Sequence, residues 1–322
     1  MIITVTLNAA LDRTLVAPGF ALGQSRTVDS ALTLGGGKGL NVARALLGLG
    51  HEVLALGLAG GATGEAIRAA LDREGMDHQL TEISGNSRTC TAIVDPETGI
   101  ASEINEPGPR IGERELDAFL NMFRKRVGDA RLVALSGSLP AGVPFDFYAF
   151  LIGIARQAGV PCALDTSGPA LREGLAAGPF LAKPNQHEAA QLWGGTFDPE
   201  DAGILAALPA PRPTMLAITL GAAGALLHGP AGSWRAVPPT VQPVDTVGAG
   251  DSFVAGLCAA LLAAAGAGSL EGAAQRPDIL ERALRFATAL ATANTLTVGA
   301  GICQPEDVAR LESEVRIRRL TR

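Results

Sequence analysis

Two glycine-rich segments contain residue types that could bind a phosphoryl group and transfer it. One of them, 245–253, holds Gly248-Ala249-Gly250 followed directly by Asp251 and a long apolar run. Three small residues in succession can present several backbone N–H groups to one anion, and a helix N-terminus adds a favourable dipole. An acid at this place either caps the helix or takes a proton from a hydroxyl that attacks phosphorus. The spacing favours the second role for Asp251.

The other segment, 34–44, has three successive glycines before Lys38. Glycines let the backbone approach a ligand closely, and the helix predicted to follow points its first amides at that ligand. A GxxxxGK[ST] phosphate loop is excluded because Gly39 follows Lys38. A dinucleotide fingerprint fails because Val42 or Leu40 stands where its last glycine is required. An ordinary glycine-rich turn before a helix remains the alternative.

These segments lie between elements that indicate an α/β fold. Apolar runs rich in β-branched residues alternate with segments of helical period, such as 41–49 and 64–74. The runs predicted to be buried strands are 2–7, 53–58, 132–135, 161–164 and 215–219. Strands that alternate with helices imply right-handed crossovers and a mainly parallel sheet that helices flank on both faces.

Two further segments, 13–34 and 88–104, are strand-like but have no helix of their own. Their alternation of apolar and polar residues suits a half-exposed antiparallel sheet. We therefore predict one domain over 1–322, with a small β lid formed by about 12–34 and 87–105 inserted into the α/β core. A pair of ordinary surface loops is the competing interpretation.

The composition limits the class of protein. Of the 322 residues 47% are hydrophobic, which excludes intrinsic disorder, and the net charge of −6 argues against a nucleic-acid partner. Four widely spaced cysteines predict free thiols in a reducing compartment. The longest apolar run, 253–268, is too short to span a bilayer, and no export signal is evident. We expect a cytoplasmic protein without a membrane partner.

The two glycine-rich segments resemble the signature motifs of the ribokinase-like (PfkB-type) carbohydrate kinases. Further matching motifs follow in the family's order, at 8–12, 60–65, 136–140, 183–188 and 219–224. The resemblance covers nearly the whole chain and implies a Rossmann-like core with a β lid that closes over a sugar. Within the family, the motifs at 36–39 and 136–140 are similar to the hexose-phosphate branch, which includes 1-phosphofructokinases and tagatose-6-phosphate kinases.

The resemblance also implies roles for individual residues. Asp251 would be the catalytic base, with the anion hole at Gly248, Ala249 and Gly250. The residues expected at the sugar are Asp12, Gly36, Gly37, Asn41 and Ser138. We assign Lys38 and Arg88 to the phosphate that the substrate already carries. The residues expected at ATP are Lys183, Asn185, Thr219, Gly221, Gly224, Gly250 and Asn294.

Two cations are implied as cofactors. Mg²⁺ would accompany ATP, with Glu188 and Asn185 as the residues that position it. A monovalent cation such as K⁺ would lie near the backbone of 245–247.

The expected reaction is ATP-dependent phosphorylation of a ketohexose phosphate to a 1,6-bisphosphate. Fructose 1-phosphate is favoured as acceptor because that activity is the commoner one, with tagatose 6-phosphate and fructose 6-phosphate as alternatives. A kinase of nucleosides or free sugars would not need Lys38 and Arg88, and a non-catalytic sensor would not need an intact Asp251 loop. The exposed edges of the lid sheet also suggest a homodimer formed through two lids.

Overall fold

The computed structural model describes residues 1–23, 25–98, 100–194, 198, 201, 203–208 and 210–321. Gln24 and Gly99, inside the two predicted lid segments, lie outside the described residues. The strands are β1 (Ile2–Thr6), β2 (Ala10–Val16), β3 (Ser30–Gly36), β4 (Val53–Ala59), β5 (Asp77–Glu82), β6 (Arg88–Asp95), β7 (Ile100–Asn105), β8 (Leu132–Ser136), β9 (Cys162–Asp165), β10 (Leu181–Ala182), β11 (Met215–Thr219), β12 (Ala225–Gly229), β13 (Gly232–Val237) and β14 (Arg316–Leu320). The helices are α1 (Lys38–Gly48), α2 (Gly61–Arg73), α3 (Glu113–Arg126), α4 (Phe147–Gln157), α5 (Gly168–Ala176), α6 (Gln186–Trp193), α7 (Ile204–Ala207), α8 (Ala249–Ala265), α9 (Leu270–Ala274), α10 (Pro277–Asn294) and α11 (Pro305–Glu314).

The large sheet has the strand order β14-β13-β12-β11-β10-β9-β8-β1-β4-β5. The strands from β11 to β5 are parallel, whereas β11 to β14 pair antiparallel. Every residue of β1, β4, β8 and β9 is buried, because helices cover both faces of a parallel sheet. The predicted α/β architecture is confirmed. Its functional edge is the one at the carboxyl ends of β1, β8, β9 and β10.

The small sheet has the order β3-β2-β6-β7. Its outer pairs are antiparallel, as predicted, but the central pair β2–β6 is parallel. The reason is topological, since β2 and β6 follow the parallel strands β1 and β5 and therefore leave the large sheet in the same direction. The strand pairs meet over 10–36 and 88–105, close to the ranges that the alternation predicts.

Helix α8 packs tightly on α10 and thereby positions the glycine-rich segment 245–253. A Cβ atom at Gly256 would lie 2.7 Å from the Cα atom of Ala287, so only glycine permits this approach. Along α8 most side chains are buried, including Phe253 and Leu257. No helix among the described residues is long and apolar enough to cross a membrane.

We expect Gly256→Ala to lower the free energy of unfolding by about 1–3 kcal/mol, because the added methyl group overpacks the α8–α10 contact. The matched control is Gly153→Ala, which lies inside α4 with no atom within 4 Å of the added Cβ. The control should raise stability by about 0.5–1 kcal/mol, since it removes a helical glycine. Urea unfolding measures the free energy of unfolding of both variants. An equal change in the two variants would show that α8 and α10 do not require glycine at position 256.

Candidate active site

The loop before α8 has the form of an anion site. Gly248 is the N-cap of α8 and has a left-handed backbone, with φ 80° and ψ 0°. A Cβ atom there would lie 2.4 Å from the Cβ atom of Ala300, so the loop requires glycine. The amides of Ala249 and Gly250 follow at the first turn of the helix, where its dipole favours negative charge.

Asp251 lies in that first turn and is only 5% exposed. The carboxamide nitrogen of Asn41 donates a hydrogen bond of 2.8 Å to its Oδ2 atom. The pKa of Asp251 is raised to about 7, mainly because the carboxyl group is buried. The positive charges of Lys38 and Lys183 oppose this rise, whereas the negative charge of Asp165 adds to it. A carboxylate with this pKa can accept a proton near neutral pH.

Asp165 is a site residue that the sequence reasoning missed. Its side chain is fully buried, with Lys38 Nζ at 3.1 Å from Oδ1 and Lys183 Nζ at 3.3 Å from Oδ2. It ends β9, and Lys183 directly follows the neighbouring strand β10. The signal was present, because the predicted strand 161–164 is followed by an acid at its carboxyl end.

Lys38 begins α1, after Gly37 with its φ of 103°. The negative charge of Asp165 raises the pKa of Lys38 although burial opposes this, and Asp251 and Glu188 act in the same direction as Asp165. Its ammonium group therefore lies among the carboxylates around the proposed base. Lys38 was predicted to bind the phosphate of the sugar together with Arg88, and the structure gives these two cations different neighbours.

Arg88 starts β6 on the side of the small sheet. It donates to the backbone carbonyl groups of Asn8 and Glu106, each at 3.2 Å. Burial raises the pKa of Asp12, and a hydrogen bond from the Gly37 amide and the charges of Arg44 and Arg88 oppose this rise. Arg88 thus faces the side of the site that contains Asp12.

The Asp12 side chain packs against a glycine of the neighbouring strand β3, which pairs with Ala10 in the sheet. A Cβ atom at Gly36 would lie 2.0 Å from the Asp12 carboxyl carbon, so the position of this carboxylate requires a residue without a side chain. A small cavity of about 30 Å³ lies on this side. Residues around it include Asp12, Cys90, Glu103, Asn105, Val247 and Ala300. Glu103 and Asn105 were not predicted, although the alternation within 100–105 places both on one face.

Ser138 is exposed in the turn after β8, and its hydroxyl accepts a hydrogen bond of 3.1 Å from the Asn8 carboxamide. The Asn8 oxygen is buried without a hydrogen-bond partner in the described structure. The turn itself contains Gly137, at φ 102°. The predicted position of Ser138 beside the substrate is compatible with this placement.

A larger cavity of about 520 Å³ lies on the other side of the anion loop. Five of the residues expected at ATP line it, namely Asn185, Thr219, Gly221, Gly224 and Gly250. Most of the remaining lining is apolar or threonine, from residues that were not predicted, such as Pro238, Val241, Phe253, Ala291, Thr292 and Thr295. Apolar walls with a few hydroxyl groups suit a purine base and a ribose.

Lys183 and Asn294 differ from the expectation because neither lines the described part of this cavity. Lys183 is buried, and its ammonium would lie 3.6 Å from a Cβ atom at Gly250, so it is close to the anion loop. The carboxamide of Asn294 bonds to Ser252, Gly301 and Val247 at 2.8–2.9 Å and is fully buried. Asn294 therefore supports the loop from within, and its carboxamide is not exposed in the cavity.

The hydrogen bonds of Asn185 do not agree with its predicted role as a metal ligand. Its carboxamide oxygen accepts the amides of His187 and Glu188, both at 2.9 Å, and so caps α6. Both lone pairs are then used, which leaves none for a metal ion. One oxygen of Glu188 accepts the Asn185 amide at 2.8 Å, and the other remains for a cation or its water.

Comparisons with known proteins identify the family of the chain. A family model described as pfkB family carbohydrate kinase matches residues 7–307. The 1-phosphofructokinase of Rhodobacter capsulatus is 35% identical over 322 residues, which are 99% of this chain and 98% of that protein. The chain belongs to the pfkB family of carbohydrate kinases.

Solved structures of phosphofructokinases and of a ribokinase share the fold. Phosphofructokinase-2 from Escherichia coli, solved in complex with potassium, is 29% identical, with a TM-score of 0.82 over 97% of this chain and 98% of its own. The same enzyme was solved in a tetrameric inhibited form. Ribokinase from Giardia lamblia, at 19% identity, has a TM-score of 0.78 over 97% and 99% of the two chains. The ribokinase-like fold predicted from the sequence is confirmed.

In this pfkB kinase we expect Asp165→Asn to shift the acidic limb of the kcat profile to lower pH, by about one unit. The substitution removes a negative charge that raises the pKa of Asp251 and frees two ammonium groups that lower it. Steady-state rates between roughly pH 5 and 9, the range in which a group with a pKa near neutrality titrates, measure the shift. Asp72→Asn, an exposed carboxylate paired with His78, is the control that should leave the profile in place. An unchanged or raised limb in Asp165→Asn would contradict the account.

Proposed function

We propose that this pfkB kinase transfers the γ-phosphoryl group of ATP to a hydroxyl of a ketohexose phosphate, with fructose 1-phosphate as acceptor and fructose 1,6-bisphosphate as product. The observation that carries the proposal is the buried Asp251, whose pKa is raised to about 7. It follows an anion loop with a nucleotide-sized cavity on one side and Asp12 and Arg88 on the other. The 35% identical relative is a 1-phosphofructokinase.

The chemical step uses Asp251 as the base. The acceptor oxygen attacks the γ-phosphorus, its proton passes to the Asp251 carboxylate, and the bond from phosphorus to the bridging oxygen breaks to release ADP. The amides of the Gly248–Gly250 loop and the nearby ammonium group of Lys183 neutralise the charge on the transferred group. Positioning and charge neutralisation supply most of the catalysis in this type of reaction.

Two cofactor cations fit the described residues. Mg²⁺ neutralises the phosphate oxygens of ATP when bound. In the described part of the chain no group of three or more His, Cys, Asp or Glu is arranged so that it could hold a metal ion. Mg²⁺ would therefore be held mainly by phosphate and water, with the Glu188 carboxylate facing that water. K⁺ fits beside Asp245, a buried carboxylate that accepts the amides of Val247 and Gly299 at 3.0 Å. Carbonyl groups of the same two loops would complete that site.

The two predicted phosphate cations would serve different phosphates. Arg88 lies on the side of Asp12, so we assign it to the phosphate that the sugar already carries. Lys38 pairs with Asp165 and lies near Asp251, so we assign it to the phosphoryl group in transfer. The small sheet, as a single lid over the acceptor within one domain, would bring Arg88 onto the bound sugar.

A homodimer through two small sheets is part of the same proposal. The sheet has two edge strands, β3 and β7, and β7 exposes Ile100 and Ile104. Unpaired strand edges with apolar side chains favour pairing between chains. ATP and sugar phosphates are metabolites of the cytoplasm, which supports that location for the enzyme.

We expect Asp251→Asn to lower kcat by about 10²–10⁴-fold, because the variant keeps the shape of the site but cannot accept the proton. An assay of ADP release measures turnover with fructose 1-phosphate, tagatose 6-phosphate, fructose 6-phosphate and free fructose. The affinity of the variant for ATP, measured by calorimetry, should stay close to that of the unmodified enzyme. Near-normal turnover in Asp251→Asn would remove this residue from the mechanism. Equal turnover of the unmodified enzyme with free fructose and with the sugar phosphates would show that the acceptor need not carry a phosphate.

Arg88→Met and Lys38→Met should separate the two phosphates. We expect Arg88→Met to raise the KM for the sugar phosphate by about 30-fold or more, as for a lost buried charge pair, with the KM for ATP little changed. Lys38→Met should lower kcat by about 10²-fold or more, because its charge acts in the transition state. Arg73→Met, exposed on α2, is the control. A strong rise of the sugar-phosphate KM in both variants, with kcat little changed, would instead support the joint phosphate site.

A further inference from the structure

We infer that Arg44 is a positioning residue that holds the Asn41 carboxamide in the one orientation in which it donates to Asp251. The inference rests on the proposed role of Asp251 as the base and adds a residue that touches neither substrate. Arg44 lies on α1, one turn after Asn41, and its side chain is 9% exposed.

The guanidinium group of Arg44 uses all of its donors inside the protein. Nε and Nη2 donate to the Glu74 carboxylate at 2.6 and 3.1 Å. Nη1 donates to the Asn41 carboxamide oxygen and to the Ala300 carbonyl, both at 3.1 Å, and Nη2 donates to the Gly35 carbonyl at 2.5 Å. An arginine has five N–H groups, and each here has one acceptor. Arg44 therefore has no donor left for a phosphate.

Arg44 decides which way the Asn41 carboxamide points. The carboxamide has an oxygen at one corner and a nitrogen at the other, and turning it over exchanges the two. Because Arg44 presents only donors, the oxygen must face Arg44, and the nitrogen then faces Asp251 Oδ2 at 2.8 Å. The opposite orientation would set nitrogen against guanidinium and oxygen against carboxylate, so both contacts would be lost.

The Asn41 bond favours the ionised form of Asp251. The charged groups that act on Asp251 are Lys38 and Lys183, which lower its pKa, and Asp165, which raises it, in addition to burial. Without the hydrogen bond from Asn41, the burial that raises the pKa is opposed by the two lysines alone. Less of the base is then ionised at a given acidic pH.

The same guanidinium group joins the surrounding elements. Gly35 is the last residue but one of β3, the strand of the small sheet that pairs with β2. Ala300 packs against Gly248 of the anion loop. Glu74 lies just after α2 and compensates the buried charge of Arg44. Arg44 thereby holds the base, the anion loop and the end of the small sheet in a fixed relation.

The test is a pair of pH profiles in two backgrounds, and its readout is the acidic-limb pKa of kcat/KM. Arg44→Lys keeps the charge but cannot make five bonds in a fork. We expect it to raise the acidic limb by about one pH unit, so that activity near pH 6, taken as a fraction of the high-pH plateau, falls about tenfold. In an Asn41→Ala background the same change should produce no further shift, because Arg44 acts through Asn41.

A shift of equal size in both backgrounds, or none in either, would overturn the inference. Arg68→Lys is the matched control, since Arg68 bonds to the Ala59 and Leu80 carbonyls and to Glu82 without contact to Asp251, and it should leave the limb in place. If Arg44→Lys does not fold, Arg44→Met combined with Glu74→Met removes both charges together and takes its place in the same measurement, with the same expected shift.

Asp251→Asn in the same assay separates this inference from the proposed function. Near-normal turnover of that variant would overturn the proposed function. A strong loss there, combined with unmoved limbs in the Arg44 variants, would overturn only the positioning role.

Discussion

Four charged groups meet beneath the anion loop, three of them buried and the fourth, Lys38, partly exposed, and the site depends on their mutual compensation. Asp165, Lys183 and Asp251 are each 5% exposed or less, and an isolated charge at such a depth is costly. Asp165 compensates two ammonium groups at once, at 3.1 and 3.3 Å. Asp251 then remains as the carboxylate without an ion pair of its own, and its pKa rises to about 7. The surroundings of Asp251 therefore give this carboxyl group the pKa that the proposed base needs.

The fold brings these groups together from distant parts of the chain. Asp165 and Lys183 come from the carboxyl ends of neighbouring parallel strands, Lys38 from the start of α1, and Asp251 from the start of α8. Close packing through Gly256 sets α8 against α10. The Asp251 loop stands between the mostly uncharged cavity of about 520 Å³ and the polar side of the small sheet. In the proposed reaction, this separation would let one carboxylate act between donor and acceptor.

The sequence predicts the α/β core, because alternating buried runs and helical periods are local signals that tertiary packing preserves. It also predicts important glycines in both glycine-rich segments, since Gly248 and Gly36 have backbones that approach other atoms too closely for a side chain. It does not predict Asp165 or Arg44. The Lys38–Asp165 pair spans 127 positions and the Arg44–Ala300 bond spans 256, so no local pattern indicates either contact. Asn294 and Asn185 were matched by residue type, but the Asn294 carboxamide and the Asn185 carboxamide oxygen make hydrogen bonds within the fold.

The central claim is that burial among these charges, and not the aspartate itself, makes Asp251 a base near neutral pH. Infrared difference spectra of the ¹³C-aspartate-labelled enzyme and its Asp251→Asn variant, titrated with acid, report the protonation of this one carboxyl group. The account predicts a protonated-carboxyl band that belongs to Asp251 and grows as the pH falls through about 7. A carboxylate that stays ionised until the pH approaches the ordinary aspartate value of 3.8 would contradict it.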